Sequence, residues 1–419
     1  MIRKCFSGRL FVLTFLALFA ATGTAIACPF CSAPSLTLSE QAAQSDVVLL
    51  AAWKSGSKGL PDEPGSKATT TFEIRKALKG PFKAGETVTL AGYQPAEVGE
   101  LYLLTGINSD LVQWDIPTAF TEKAFDYVVK APPPQTADGE KIPARERLDY
   151  YIPFLEAPDQ VIANDAYGEF ANAPYEEIVA VKEHLNAKEL REWVLDPETP
   201  PARLGLYGLL LGLSGDQQDA QAMEKLIAKP TSDFRIGLDG VMSGYLLLTE
   251  EPGLKLVREL KLENEFIVNA KGDPIKDGEG EKVPVPFSET YAAMQAVRFM
   301  WDYGNGRIGP DPLRETMRVL LERPELADLA IADLARWQDW AIMERLFKLY
   351  DAEAYQIPGI KRSIIRYFDA AMKDVPEDAP ENPKAVPEHV KQAREYYAAI
   401  KKKDPEVVKS VEQFLILIQ

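Results

Sequence analysis

Histidine and cysteine are nearly absent from this chain. Its 419 residues include two histidines, His184 and His389, and three cysteines, Cys5, Cys28 and Cys31. Hydrolytic triads need a histidine base. Here His184 ends one predicted helix, His389 begins another, and no Gly-x-Ser-x-Gly elbow occurs. A closed zinc site wants four ligands, as in paired Cys-x-x-Cys motifs, and only one such pair exists. Covalent haem attachment needs Cys-x-x-Cys-His, but Ser32 follows Cys31. There is no Gly-x-x-x-x-Gly-Lys-Ser/Thr loop and no dinucleotide fingerprint after a strand. No catalytic residue, metal or cofactor is therefore assigned. Positive charge is also short: 47 Lys and Arg stand against 63 Asp and Glu, a net −16. That balance argues against nucleic acid, whose phosphates need neutralising cations, and against anionic lipid surfaces. The expected partner is a protein, and the plain reading of the acidic surface is solubility.

What is present begins at the amino terminus. Arg3, Lys4 and Arg9 precede an apolar run from Leu10 to Ala21, and Ala25 and Ala27 supply the small residues of a signal-peptidase site. The expected chain is exported and cleaved after Ala27, which removes three cations and takes the charge from −16 to −19. Alternatives stay open. The uncharged run Leu10–Ala27 is 18 residues, near the lower limit for an uncleaved membrane anchor. Cys28 is also placed for lipidation, although lipoproteins usually carry Leu where Ala25 stands, and an acyl chain would anchor the protein. A cytosolic chain with a buried apolar terminus is the remaining alternative. Membrane association is expected only with lipidation or an uncleaved signal. Export would bring Cys28 and Cys31 into a compartment that permits a disulfide.

Residues 28–130 read as a β domain. Ser35–Gln44 predicts a short capped helix. Strands are predicted over Asp46–Trp53, Thr69–Leu78, Glu86–Ala91, Glu100–Thr105 and Leu111–Ile116, each rich in β-branched or aromatic residues and separated by turn formers. Five short strands at this spacing fit a small barrel or sandwich. Thr118–Lys130 predicts a helix, and residues 131–145, with Pro132–Pro134, predict a linker.

From residue 146 to 373 the period becomes helical, as in Ile162, Ala166, Tyr167 and Phe170. Helices are predicted over 175–184, 188–195, 202–213, 219–228, 234–248, 253–260, 289–303, 312–322, 326–335, 340–350 and 360–372. Gly215, Glu250, Gly304 and Gln338 each sit between an apolar helix and a shorter one. Their spacings match helix-pair repeats once residues 263–286 are set aside as an inserted hairpin or loop. An irregular helical bundle is the alternative. Residues 374–387 form a Pro- and acid-rich spacer, and 388–419 predict terminal helices.

Two resemblances rest on these residues. The order of the N-terminal Cys pair, "SDVVLLA", "TTFEIRKALKGPFKAGETVTL" and "GELYLLTG" resembles the netrin-like/TIMP-like superfamily, which implies an oligonucleotide-binding-type (OB) barrel tied down by an N-terminal cysteine. That superfamily usually has Cys-x-Cys and partner cysteines in the barrel. This chain has Cys28-x-x-Cys31 and none. The "CPFCSAPS" start also resembles uncharacterised secreted bacterial proteins that continue into HEAT-like helical repeats, and this second likeness implies no activity. The fold class expected is α+β multidomain: a small N-terminal barrel, then an all-α HEAT-like solenoid.

The remaining motifs divide between chemistry and structure. Cys28-Pro-Phe-Cys31 resembles the thioredoxin dithiol, but that fold needs a strand upstream, where the signal lies. The TIMP likeness implies that a mature Cys28 terminus chelates a protease's zinc. A disulfide bracing the terminus, or a lipid, is the structural alternative. Asp273–Glu281 departs from a calcium loop at Ile275 and reads as an exposed acidic turn. Arg336-Trp337-Gln338-Asp339-Trp340 reads as core and capping. The leading expectation is an exported, non-enzymatic binding or scaffold protein, because solenoids expose long faces to partners. A TIMP-like inhibitor and a thiol–disulfide oxidoreductase follow. Intact mass of the exported protein is expected to begin at Cys28, two hydrogens light before reduction. Acyl mass on Cys28 would mark a lipoprotein instead.

Overall fold

The computed structural model describes residues 28, 36–59, 67–108, 111–231, 234–269, 272–376 and 386–418. Ala25, Ala27 and Cys31 lie outside these residues. The chain opens with α1 (Leu38–Gln44), where Thr37 and Glu40 form a reciprocal capping box. An antiparallel sheet follows: β1 (Val47–Ser57), β2 (Thr69–Lys79), β3 (Thr87–Ala91), β4 (Leu101–Ile107), β5 (Gln113–Trp114) and β6 (Thr118–Ala119). The strand order is β3-β2-β1-β4-β5, with β6 also on β4. The sheet curls into a nearly closed barrel, helped by irregularities in the β1–β2 register.

β1 holds this domain together. Its residues Val47 to Ala52 are all buried. Val47, Leu49 and Ala51 face the barrel interior with Phe72, Ile74, Tyr102 and Leu104. Val48 and Leu50 face the other way, into a core shared with the helices. The unbroken apolar run Val47–Ala52 is the sequence form of a strand dry on both faces.

The helical region runs through α2 (Glu122–Lys130), α3 (Leu148–Tyr151), α4 (Gln160–Asn172), α5 (Tyr175–Ala180), α6 (Ala187–Leu195), α7 (Pro201–Ser214), α8 (Gln217–Ala228) and α9 (Leu238–Val257). It continues through α10 (Phe287–Tyr303), α11 (Pro310–Val319), α12 (Pro324–Arg336), α13 (Met343–Leu349), α14 (Pro358–Lys373), α15 (Glu388–Lys403) and α16 (Pro405–Ile418). The expected barrel followed by a many-helix region is thus the architecture present. Three predicted repeat joints coincide with left-handed backbone: Glu250 (φ 54°), Asn305 (φ 50°, beside Gly304) and Gln338 (φ 53°). Each interrupts the helical backbone between one helical segment and the next, Glu250 as a kink within α9.

Several boundaries differ from the expectation. The helix predicted from Thr118 starts at Glu122, because Thr118 and Ala119 pair with Leu103 and Tyr102 of β4 and Thr121 caps the helix. The strand predicted over Leu111–Ile116 pairs only at Gln113 and Trp114. The helix predicted from Phe234 starts at Leu238, since Gly237 (φ 82°) turns the chain there. The inserted segment is neither a plain hairpin nor a loop. Ile267, Ile275 and Val283, eight residues apart, donate in a ring: Ile267 to Val283 (2.9 Å), Ile275 to Ile267 (2.8 Å) and Val283 to Ile275 (3.0 Å). Asn269 donates to Asp273 and Asp277 to Glu281 (both 2.9 Å), with Gly272 and Gly280 at positive φ.

α7 and α9 cross in backbone contact. A methyl built on Gly244 would lie 2.0 Å from the Gly208 carbonyl oxygen, and one on Gly212 2.2 Å from Gly244 Cα. No side chain fits there, and Leu206, Leu210, Val241 and Tyr245 pack around the crossing. Gly244→Ala is expected to cost about 3 kcal/mol or more, the upper range of overpacking. Gly278→Ala, with open space around it, is expected to be near neutral. Chemical-denaturation midpoints of the two variants check this.

Candidate functional site

The barrel does not close. β3 pairs only with β2, and β5 only with β4, so the two ends of the sheet face each other across an open seam. A cleft of about 780 Å³ lies there, lined by Val88–Gln94 on one side and by Leu111, Val112 and Trp114–Pro117 on the other, with Phe82 also lining it. Phe82 and Trp114 touch across it, ring centres 5.8 Å apart. Val88 and Leu90 are buried and extend the barrel core to the seam, where Val112 and Trp114 pack against the same cluster. The rim is open and carries exposed apolar side chains, Leu111 at 77% and Ile116 at 86%, beside the exposed Thr89 and Asp115. Single exposed apolar side chains are ordinary, but two flanking a concave cleft make it the candidate site.

The register decides what the seam offers. Gly92 donates to Ala68, and Ile74 donates to Glu86, so Val88 and Leu90, with the Glu86 carbonyl and the Gly92 N–H, spend their peptide groups on β2. Thr87, Thr89 and Ala91 therefore turn their N–H and C=O toward the seam. Asp115 donates to Thr105 on the other side, and the same alternation turns the Trp114 peptide outward. Both lips are thus unpaired strand edges lined with apolar side chains.

A second polar cluster joins barrel and helices. Asp165 on α4 accepts the Leu38 N–H (2.6 Å) and the Tyr127 hydroxyl (2.8 Å). One turn on, Glu169 accepts the Ser39 hydroxyl (2.6 Å) and the Arg147 guanidinium (2.9 Å). Ser39, Arg147, Asp165 and Glu169 are all buried. Desolvation raises the Asp165 carboxyl to about 6, against the lowering effect of its two donors, and burial together with Asp165 pushes the Tyr127 phenol far above its ordinary value. Both carboxylates find donors within the cluster, while the buried Arg147 Nε has no partner among the described residues. The contacts tie α1, α2 and α4 together, so the cluster is a structural joint.

Of the residues singled out in the sequence, Cys28 is buried, 5% exposed, and packs in the shared core. Cys31, Ala25 and Ala27 are outside the described residues. His184 meets Asp149 at the surface (2.6 Å). His389 stacks on Trp340 (5.9 Å) and approaches Asp374 (3.0 Å), which also accepts the Trp340 indole N–H (2.6 Å). The structure does not bring either histidine beside Cys28. Among the described residues no group of three or more His, Cys, Asp or Glu could hold a metal ion. Asp277 accepts the N–H of Glu279 and of Glu281 within its own turn. Trp337 is buried and stacks on Trp301 at 4.3 Å, while Asp339 accepts from Arg318 (2.6 Å).

Sequence reasoning missed both clusters. For the seam the signal was Thr87–Ala91, a strand without the Lys or Pro that usually guards an edge. For the joint it was Asp165 and Glu169, which share the helical stripe of Ile162, Ala166 and Phe170. No protein-family model and no curated protein matches the chain.

The raised Asp165 carboxyl has a stability consequence. Its folded value of about 6 exceeds the ordinary 3.8, so its favourable contribution is full below about pH 4 and is lost as pH rises through 6. Asp165→Asn should therefore gain on the unmodified protein, by on the order of 2–3 kcal/mol, between pH 4 and pH 7.5. Denaturant titrations of both proteins at the two pH values check it. An unchanged difference would remove Asp165 from the pH dependence.

Proposed function

We propose that this chain is an exported, non-enzymatic binding or scaffold protein whose partner is another protein. The observation that carries the reading is the open seam, a concave cleft of mixed apolar and polar lining bordered by two unpaired strand edges. The helix pairs add extended surface of the kind repeat proteins use for partners. Charge supports a protein partner over nucleic acid, since the chain is at −16. In this reading Cys28 and Cys31 brace the terminus, by a disulfide or, if Cys28 is acylated, by an anchor. The TIMP-like and thiol–disulfide readings instead ask Cys28 to be presented to a target. Its 5% exposure favours the scaffold reading over both.

A photo-crosslinking residue at Leu111 of the exported full chain is expected to capture a discrete partner. The same residue at Leu195 on α6, 48% exposed, is expected to capture none. The Cys28→Ser/Cys31→Ser double variant should keep the Leu111 crosslink. Equal capture at both sites, no capture at Leu111, or loss in the double variant would overturn the reading.

A further inference from the structure

β3 reads Thr87-Val88-Thr89-Leu90-Ala91. It alternates polar and apolar, has high strand propensity, and carries no charge and no proline. Natural sheet edges are usually blunted by charge, proline, a bulge or a covering element. None of these devices protects β3 among the described residues. Its Thr87, Thr89 and Ala91 peptides point at a cleft whose far lip offers the Trp114 peptide. A row of outward donors and acceptors on one side of a cleft, met by one outward peptide on the other, is the template that strand addition needs.

We infer that the seam takes an extended segment of a partner polypeptide as an added strand, alternately apolar and basic. This rests on the binding reading above and names what is bound. The segment's main chain pairs with Thr87–Ala91, so about five residues, roughly 17 Å of strand, are engaged. Every second side chain points inward onto Val88, Leu90 and Trp114 and completes the barrel core. The others face solvent. Among the described residues Asp115 is the one charged side chain lining the cleft; it is exposed and accepts the Thr105 hydroxyl (2.7 Å). Together with a chain at −16, it selects basic residues at those outward positions. A strand also explains why β5 can be only two residues long without exposing the core: the missing pairing belongs to the ligand.

The test uses the full chain and a blocked heptapeptide of alternating lysine and valine. A second peptide of the same composition, with its valines contiguous, controls for plain charge attraction. The alternating peptide is expected to bind at least about tenfold more tightly, and to slow amide exchange at Thr87, Thr89, Ala91 and Trp114. Methylating its alternate peptide nitrogens should cost about tenfold or more, the scale of a lost backbone hydrogen bond. Thr89→Pro should cost as much. Its N–H faces the seam, so the substitution removes no bond to β2, and the methylated peptide covers the case in which that variant fails to fold.

Equal binding of the two peptides, binding without amide protection, or no binding would overturn the inference. So would a concentration-dependent dimer that protects the same amides without peptide, since a second copy would then be the occupant. If the Leu111 crosslink persists while the peptide fails, the strand inference falls alone. If both fail, the binding reading falls with it.

Discussion

β1 is dry on both faces, and the architecture follows from that constraint. One set of its side chains fills the barrel and the other set meets the helices. A strand in that position cannot lie at the surface of either domain. It ties the sheet to α1, α2 and α4 as a single body of apolar contacts. The predicted linker at residues 131–145 therefore connects parts that already share a core. The hydrophobic gain is non-directional, so it fixes that the two parts meet and leaves open at what angle.

The polar joint supplies the direction. Asp165 and Glu169 sit one turn apart on α4 and hold the start of α1, the Tyr127 hydroxyl and Arg147. Buried acceptors without donors are expensive, so only the docking that satisfies all of them is stable. A buried charge pair adds little net stability over an apolar pair, but breaking one member is costly. The joint thus acts on specificity of docking. Further along, the glycine-lined crossing of α7 and α9 does the same by shape. Backbone against backbone admits one relative placement, and the helix pairs on either side inherit it.

Much of this was legible in the chain. The run Asp46–Trp53, the alternation in Thr69–Leu78 and the Pro and Gly punctuation located four of the sheet's strands within a few residues. Gly215, Glu250, Gly304 and Gln338 were singled out by lying between an apolar helix and a shorter one, with repeat spacing once 263–286 was set aside, and three of them have positive φ at or beside them. Thr118–Ala119 was misread because its pairing with β4 is decided by a distant strand, while local capping at Thr121 was visible. The insertion was legible as a break but not as a ring, since three legs eight residues apart close only through each other.

Composition and order thus determined a β part followed by an α part, and export stands as an expectation from the N-terminal pattern. These depend on local propensity, period and residue counts, which need no partner residue. The seam, the joint and the helix crossing were decided only by tertiary structure. Whether a strand end is paired, an acid buried or a glycine in contact depends on what arrives from elsewhere in the chain. β3 has the same five residues whether β5 closes on it or stops short, and only the folded sheet leaves its edge open.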